Sequence, residues 1–480
     1  MTQAKLHRRG FLKYAGAALA TAALPLPCRS AASQWRRPNF VVIFCDDMGY
    51  GDVGCFGSTK HRTPNLDRMA EEGRRFTSFY VTSGVCTPSR SSLMTGCYPR
   101  RVNMHQNERG LCVLFPTNKK GLHPDEITIA DLLKEQGYAT ACIGKWHLGD
   151  QPEFLPTRQG FDYYFGIPYS NDMGGKGGKG KRPPLPLLRN EEVIEAPAEQ
   201  DTLTKRYTEE AVRFIRAHKD EPFFVYLPHT MPHNPIHASD RFRGKSDNGR
   251  YGDSIEEIDW STGRILRTLK DLEIDDNTLV VFTSDNGAAS RFGGGNGPLR
   301  GWKGSTWEGG MREPCIMRWP GKIPADSTCD ELACTMDLLP TFARLAGTKP
   351  PTDRIIDGRD IRPLVMGEPG AETPHEAFFY YQMDQLQAVR SGRWKLHLPL
   401  KPKKRNWGKP EPSSPLQLYD LKADVGEQNN VADQHPEVVE RLMALAEKAR
   451  EDLGDMGREG KNQRPAGFVQ QPTPRTMASQ

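Results

Sequence analysis

Between residues 39 and 346 the chain alternates short apolar runs with longer amphipathic stretches. That alternation leaves room for little besides an α/β fold, a large mixed, mostly parallel sheet sandwiched by helices. Runs at 40–45, 139–144, 223–227 and 278–283 read as strands, and 128–136, 202–217 and 254–272 carry helical periodicity. In such sheets connecting loops and helix N-termini converge at the carboxyl ends of the strands, where ligands collect. Chemically capable residues follow each run: Asp46 and Asp47 the first, Lys145 and His147 the second, His233 the third, Asp285 and Asn286 the fourth. Residues scattered through the sequence are therefore expected to meet on one rim.

A chain of 480 residues exceeds what one core usually holds. Residues 33–370 read as the large domain, closing in a Pro-, Gly- and charge-rich boundary at 348–374. Residues 371–480 read as a smaller α+β domain, with strand-like pieces at 377–381, 386–389, 394–398 and 418–421 for an antiparallel sheet and a helix at 436–453. The last residues, about 25 of them, are polar and rich in Pro and Gly and are expected to be disordered. Residues 174–181 are all Gly or Lys and read as a flexible surface loop.

The chain holds 65 Lys plus Arg against 60 Asp plus Glu. Lys5, Arg8, Arg9, Lys13 and Arg29 account for the whole surplus and lie in the first 32 residues, which carry no acid. The rest is balanced, which gives no support to a nucleic-acid partner. The leader, His7-Arg8-Arg9-Gly10-Phe11-Leu12-Lys13 followed by a small apolar run, has the layout of a twin-arginine signal peptide over residues 1–32, cleaved after Ser30-Ala31-Ala32. It implies the twin-arginine export machinery as a partner and a periplasmic or extracellular destination. Lipid anchoring through Cys28 is the rival fate, though Leu26-Pro27 before it matches a lipoprotein signal poorly. Because such cargo folds before export in a reducing compartment, few of the ten cysteines are expected in disulfides; Cys329 and Cys334 are the candidate pair.

Asp46, Asp47, Asp285 and Asn286 offer a cage of hard oxygens suited to calcium or magnesium. Cys86 precedes Pro88, a residue favoured in the first turn of a helix, so a helix is predicted from about Ser89 with its N-terminus favouring an anion. Three residues separate Cys86 from Arg90, a spacing that fits a thiol phosphatase poorly.

The run Cys86-Thr87-Pro88-Ser89-Arg90, continued by Ser91-Ser92-Leu93-Met94-Thr95-Gly96, resembles the sulfatase signature. So do Asp46-Asp47-Met48-Gly49-Tyr50-Gly51-Asp52, Gly144-Lys145-Trp146-His147-Leu148-Gly149, Pro232-His233, Ser284-Asp285-Asn286-Gly287 and Trp307-Glu308-Gly309-Gly310-Met311-Arg312-Glu313-Pro314, in the family's order, and Leu418-Tyr419-Asp420-Leu421 resembles its C-terminal strand. The likeness is to the arylsulfatase A and N-acetylgalactosamine-6-sulfatase branch. It implies an alkaline phosphatase-like fold and a formylglycine made from Cys86 by a maturation enzyme. It also implies calcium held by Asp46, Asp47, Asp285 and Asn286 beside modified Cys86, and a sulfated carbohydrate or aryl sulfate as substrate. By the same resemblance Arg90 holds the hydrated aldehyde, Lys145 and Lys303 grip the sulfate, His233, alone or with Lys303, is the general acid and His147 takes the proton that releases sulfate. His229 and His237 are the neighbours most easily confused with His233. Asp52 reads as a turn residue, and Trp302 and Trp307 as either sugar platforms or core. Cys97 departs from the pattern, since many members carry Arg there. Two rival functions remain: a phosphonate or phosphodiester hydrolase of the same superfamily, and a non-catalytic protein that binds sulfated glycans.

Overall fold

The computed structural model describes residues 36–175, 182–400 and 413–477. The leader with Cys28 and all but the first two residues of the 174–181 loop lie outside them. Strands Asn39–Cys45, Phe223–Pro228 and Thr278–Ser284 are buried at every position, as unbroken apolar runs must be when both faces of a sheet are covered. The large sheet runs in the order Ser327–Cys329, Arg74–Tyr80, Arg312–Arg318, Thr278–Ser284, Asn39–Cys45, Phe223–Pro228, Ala139–Ile143, Tyr163–Gly166, Leu187–Arg189, Glu192–Glu195. From Thr278–Ser284 to Tyr163–Gly166 all neighbours are parallel; Arg312–Arg318 and Leu187–Arg189 pair antiparallel at either side.

Side-chain parity in the first strand divides the core. Phe40, Val42 and Phe44 pack toward Leu338, Leu339 and Phe342 of the helix Leu338–Leu345. Val41 and Ile43 pack toward Ile258 and Ile265 of Gly249–Asp271 and Tyr207 and Ala211 of Leu203–Ala217. Gly249–Asp271 begins ahead of the predicted residue 254. The C-terminal sheet is antiparallel, Phe378–Gln382, Gln385–Ser391, Trp394–His397 and Gln417–Asp420 in sequence order. The helix Pro436–Asp452 buries Leu442, Leu445 and Ala446 with Leu386, Ala388 and Leu396 of that sheet.

Two expectations change. The polar tail is ordered through Met477: Gly467–Phe468 pairs with Lys120–Gly121, Arg464 Nε donates to Glu126 Oε1 at 2.7 Å and Thr473 N donates to Gln151 Oε1 at 2.8 Å. Its order comes from specific polar partners supplied by the large sheet's loops, which composition cannot report. The Cys329–Cys334 pairing does not form, and both are free thiols. Both cysteines lie on segments parallel to Arg74–Tyr80, opposite Phe76 and Tyr80, four residues or about 13 Å apart along one edge.

Candidate active site

The register sets the two acidic pairs side by side. Cys45 lies opposite Ser284, and Asp285 N donates to Cys45 O at 3.0 Å, so Asp46 and Asp285 leave adjacent strands at the same level. Gly144, at φ 138, ends the next strand but one; a Cβ there would fall 1.9 Å from Pro228 O, so only glycine lets Lys145 follow at this height. The helix begins at Cys86 itself and runs to Thr95, three residues earlier than Pro88 suggested, because Ser89 N already bonds Val85 O. Cys86 thus sits in the first turn, where unpaired backbone N–H groups favour negative charge.

Around it the structure brings together all the predicted residues. Arg90 clasps Asp285 Oδ2 through Nη2 at 2.7 Å and Nε at 3.0 Å, and lies 3.5 Å from Asp46 Oδ2. Lys145 Nζ bonds the same Asp46 oxygen and Ser170 Oγ. Lys303 Nζ reaches Asp47 Oδ1 at 2.7 Å and Oδ2 at 2.8 Å, and Asn286 Nδ2 donates to Asp47 Oδ1 at 2.8 Å. The Cys86 thiol lies within 4.8 Å of carboxylate oxygens of Asp46 and Asp285.

Two oxygens of the predicted ligand set lack partners: Asp46 Oδ1 and Asn286 Oδ1 are buried and accept no hydrogen bond. A buried acceptor left unmatched costs about 1–3 kcal/mol, and a hard cation bound by oxygens would satisfy both. The donor set therefore fits calcium or magnesium. Burial raises Asp46, but Lys145, His233 and Arg90 outweigh it and hold this carboxyl well below the usual range. Burial and the Asp46 charge pull Asp285 upward against Arg90, the strain expected where acids are crowded. Burial also pushes the Cys86 thiol up to about 11 despite Lys145 and Lys303. An unmodified Cys86 would hold almost no thiolate at neutral pH and would be a poor nucleophile.

The two histidines present one nitrogen each. His147 Nε2 faces Leu114 O at 2.9 Å; a carbonyl only accepts, so Nε2 carries the hydrogen and Nδ1, buried and unpartnered, holds a lone pair. Burial and Lys145 depress its pKa well below the ordinary value, keeping it neutral. Asp47 and His147 hold φ values of 67° and 62°, each costing on the order of 1–3 kcal/mol in a non-glycine. His233 has Nδ1 2.9 Å from Asn171 Oδ1 and Nε2 3.8 Å from Asp47 Oδ2. Its neighbours are occupied elsewhere: His229 Nε2 with Ser261 Oγ at 3.2 Å and His237 Nδ1 with Asp201 at 2.7 Å. Asp52 is a turn organiser, accepting from Gly49 N, Gly295 N and the Tyr251 hydroxyl.

A cleft of about 810 Å³ opens over Cys86, Asp47, His233 and Lys303, walled by Val113, Phe115, Phe292 and Trp302. Trp302 is 41% exposed. Trp307 also lines the cleft, but stacks on His397 at 4.1 Å and lies under Arg300 at 3.6 Å.

Three residues here had been given no role. Ser170 and Asn171 follow the strand Tyr163–Gly166, and the strand-end rule would have found them had that short run been read as a strand. Glu313 is fully buried with neither carboxyl oxygen partnered; burial and Asp285 raise its pKa well above the ordinary value, and the Trp307 to Pro314 block that contains it gave it no role of its own.

Residues 38–348 match the family model described as Sulfatase, and 373–471 that described as the C-terminal region of aryl-sulfatase. The chain is 44% identical over 384 residues to N-acetylgalactosamine-6-sulfatase of Canis lupus familiaris, covering 76% of this chain and 73% of that protein. It is 39% identical over 450 residues to arylsulfatase A of Homo sapiens, covering 85% and 87%. Among solved structures it resembles Ps i-CgsB in complex with k-i-k-neocarrahexaose, at 32% identity and a TM-score of 0.73 over 86% of this chain and 92% of that one.

Proposed function

The chain belongs to the sulfatase family, and from that premise we propose that it removes sulfate from a sulfated carbohydrate by means of a formylglycine derived from Cys86 and a bound calcium ion. The observation that carries the metal half is the pair of buried, unpartnered oxygens on Asp46 and Asn286. For the carbohydrate, support comes from the hexaose in the related solved structure and from the exposed Trp302 at the cleft.

Hydrated, the aldehyde would supply two hydroxyls on one carbon, one to attack sulfur and one to expel the sulfate afterwards. Asp46, Asp47, Asp285 and Asn286 would hold calcium, or magnesium in its place, whose charge acidifies a bound hydroxyl and polarises a sulfate oxygen. The chain's own residues do the rest. Three carboxylates, Asp46, Asp47 and Asp285, are matched by Arg90, Lys145 and Lys303, so a divalent ion leaves the site with two positive charges. One sulfate monoester and one ionised hydroxyl neutralise them. Lys145 and Lys303 stand where charge grows on the sulfate oxygens during attack. The His147 Nδ1 lone pair is free to take the proton whose loss releases sulfate. His233 Nε2 faces the cleft and serves as the acid for the departing alcohol.

The leader over residues 1–32 and export to the periplasm or the extracellular space belong to the same proposal. The maturation enzyme would act before export, while the buried Cys86 is still accessible. The test is the mass of the peptide carrying Cys86, from protein made in its native host, together with sulfate release from a panel of sulfated sugars, aryl sulfates and aryl phosphates. An aldehyde in place of the thiol, with turnover of sulfated sugars, supports the reading. A thiol in active protein overturns the aldehyde nucleophile, and faster turnover of aryl phosphate shifts the assignment to phosphoryl chemistry.

A further inference from the structure

We infer that Asn171 is a positioning residue for His233, fixing the tautomer and aim of its imidazole; the inference rests on the sulfate ester hydrolase reading above. Asn171 Nδ2 donates to Pro235 O at 2.9 Å and to Gln200 Oε1 at 3.1 Å. A backbone carbonyl can only accept, so the amide cannot be turned over, and Oδ1 is the atom that meets His233 Nδ1 at 2.9 Å. An amide oxygen also only accepts. His233 Nδ1 must then carry the hydrogen, and Nε2 is the ring nitrogen left outside this bond.

That nitrogen is on the cleft side, 3.8 Å from Asp47 Oδ2, while Asn171 is 2% exposed. Because Pro235 lies two residues beyond His233, Asn171 holds both the ring and the loop that carries it. Its backbone opens the short helical turn Asn171–Met173, which follows the strand Tyr163–Gly166. The amide is neutral and accepts from Nδ1–H, so it fixes the ring's aim without adding a charge. A carboxylate in its place would add a charge beside a ring already within reach of Asp47.

The test is steady-state kinetics of the matured enzyme on a nitroaryl sulfate, whose phenolate leaves unaided, and a sugar sulfate, whose alkoxide needs a proton. Wild type, Asn171→Leu, His233→Ala and the double variant are compared. Asn171→Leu is expected to lower kcat on the sugar ester by roughly 10- to 100-fold, with the nitroaryl ester falling about threefold or less and KM nearly unchanged. Added to His233→Ala, it should cost nothing further. Equal loss on both esters, or a loss that multiplies with that of His233→Ala, overturns the inference. Should the leucine variant not fold, Asn171→Ala is judged by the same ratio of losses. A wild type that carries the aldehyde yet releases sulfate from neither ester overturns the sulfatase reading instead.

Discussion

Two places among the described residues meet the same geometric condition for holding a metal, and they differ in one respect. Asp46, Asp285 and Cys86 bring their donor atoms within 4.8 Å of one another, and so do Asp337, His375 and Cys334 beneath the C-terminal sheet. In the second cluster Asp337 Oδ1 accepts from Arg359 N and His375 Nε2, both at 2.8 Å, and Oδ2 from Cys334 N at 2.8 Å and its thiol at 3.3 Å. The four acceptor sites of a carboxylate are filled. In the first cluster Asp46 Oδ1 and Asn286 Oδ1 are empty-handed. Proximity of donors is thus shared by a site and a staple; what separates them is whether the oxygens are already satisfied.

Removing each thiol in turn separates the two clusters most widely. Cys86→Ala should lower kcat on a sulfated substrate by on the order of 10⁴-fold or more and leave the fold intact, whereas Cys334→Ala should leave kcat within about twofold and lower the unfolding free energy by about 1–2 kcal/mol. Kinetics and denaturant melts of both variants decide it; equal kinetic losses would erase the distinction. Next in size is removal of the cation. Dialysis against a chelator should abolish most activity and lower Tm, with both restored by calcium. Metal content measured by mass spectrometry should fall in Asp46→Asn and stay at the wild-type value in Asp337→Asn, which instead loses about 2–3 kcal/mol of stability from its stranded donors. A second ion per chain lost with Asp337 would show that the saturated cluster binds metal after all.

The rim of the site was legible because the rule that reads it is local. Each apolar run ends within one residue of its strand's end, and Asp46, Lys145, His233 and Asp285 follow within a few residues, so their convergence needs only the parallel sheet. Helix starts were less legible: Pro88 marked the turn, but the N-terminus lies at Cys86 because backbone bonds, not the proline, set it. Asn171 went unseen because the four-residue strand before it is too short to show a period. Glu313 was unreadable for a different reason, since its burial among acids is created by strands from distant parts of the chain. The ordered tail belongs to that class too: Arg464 and Thr473 find their partners, Glu126 and Gln151, more than 300 residues away in sequence.

The same criterion of satisfied against unsatisfied groups can be carried to the two tryptophans of the cleft, where the expected effects are smaller. Trp307 has His397 on one side and Arg300 on the other, and its ring completes the junction with the C-terminal sheet. Trp302 has no ring or cation stacked on it among the described residues, and 41% of it is exposed. An unmatched aromatic face at the cleft suits a sugar ring. Trp302→Ala should therefore raise KM for a sulfated sugar by about 3- to 10-fold with little change in kcat, as expected when binding common to ground and transition states is lost. Trp307→Ala should act on stability, costing about 3 kcal/mol in denaturant melts. A Trp302 variant with unchanged KM, or a Trp307 variant with wild-type stability and impaired KM, would show that the missing partner of a surface aromatic is a poorer guide to ligands than the missing partner of a buried oxygen.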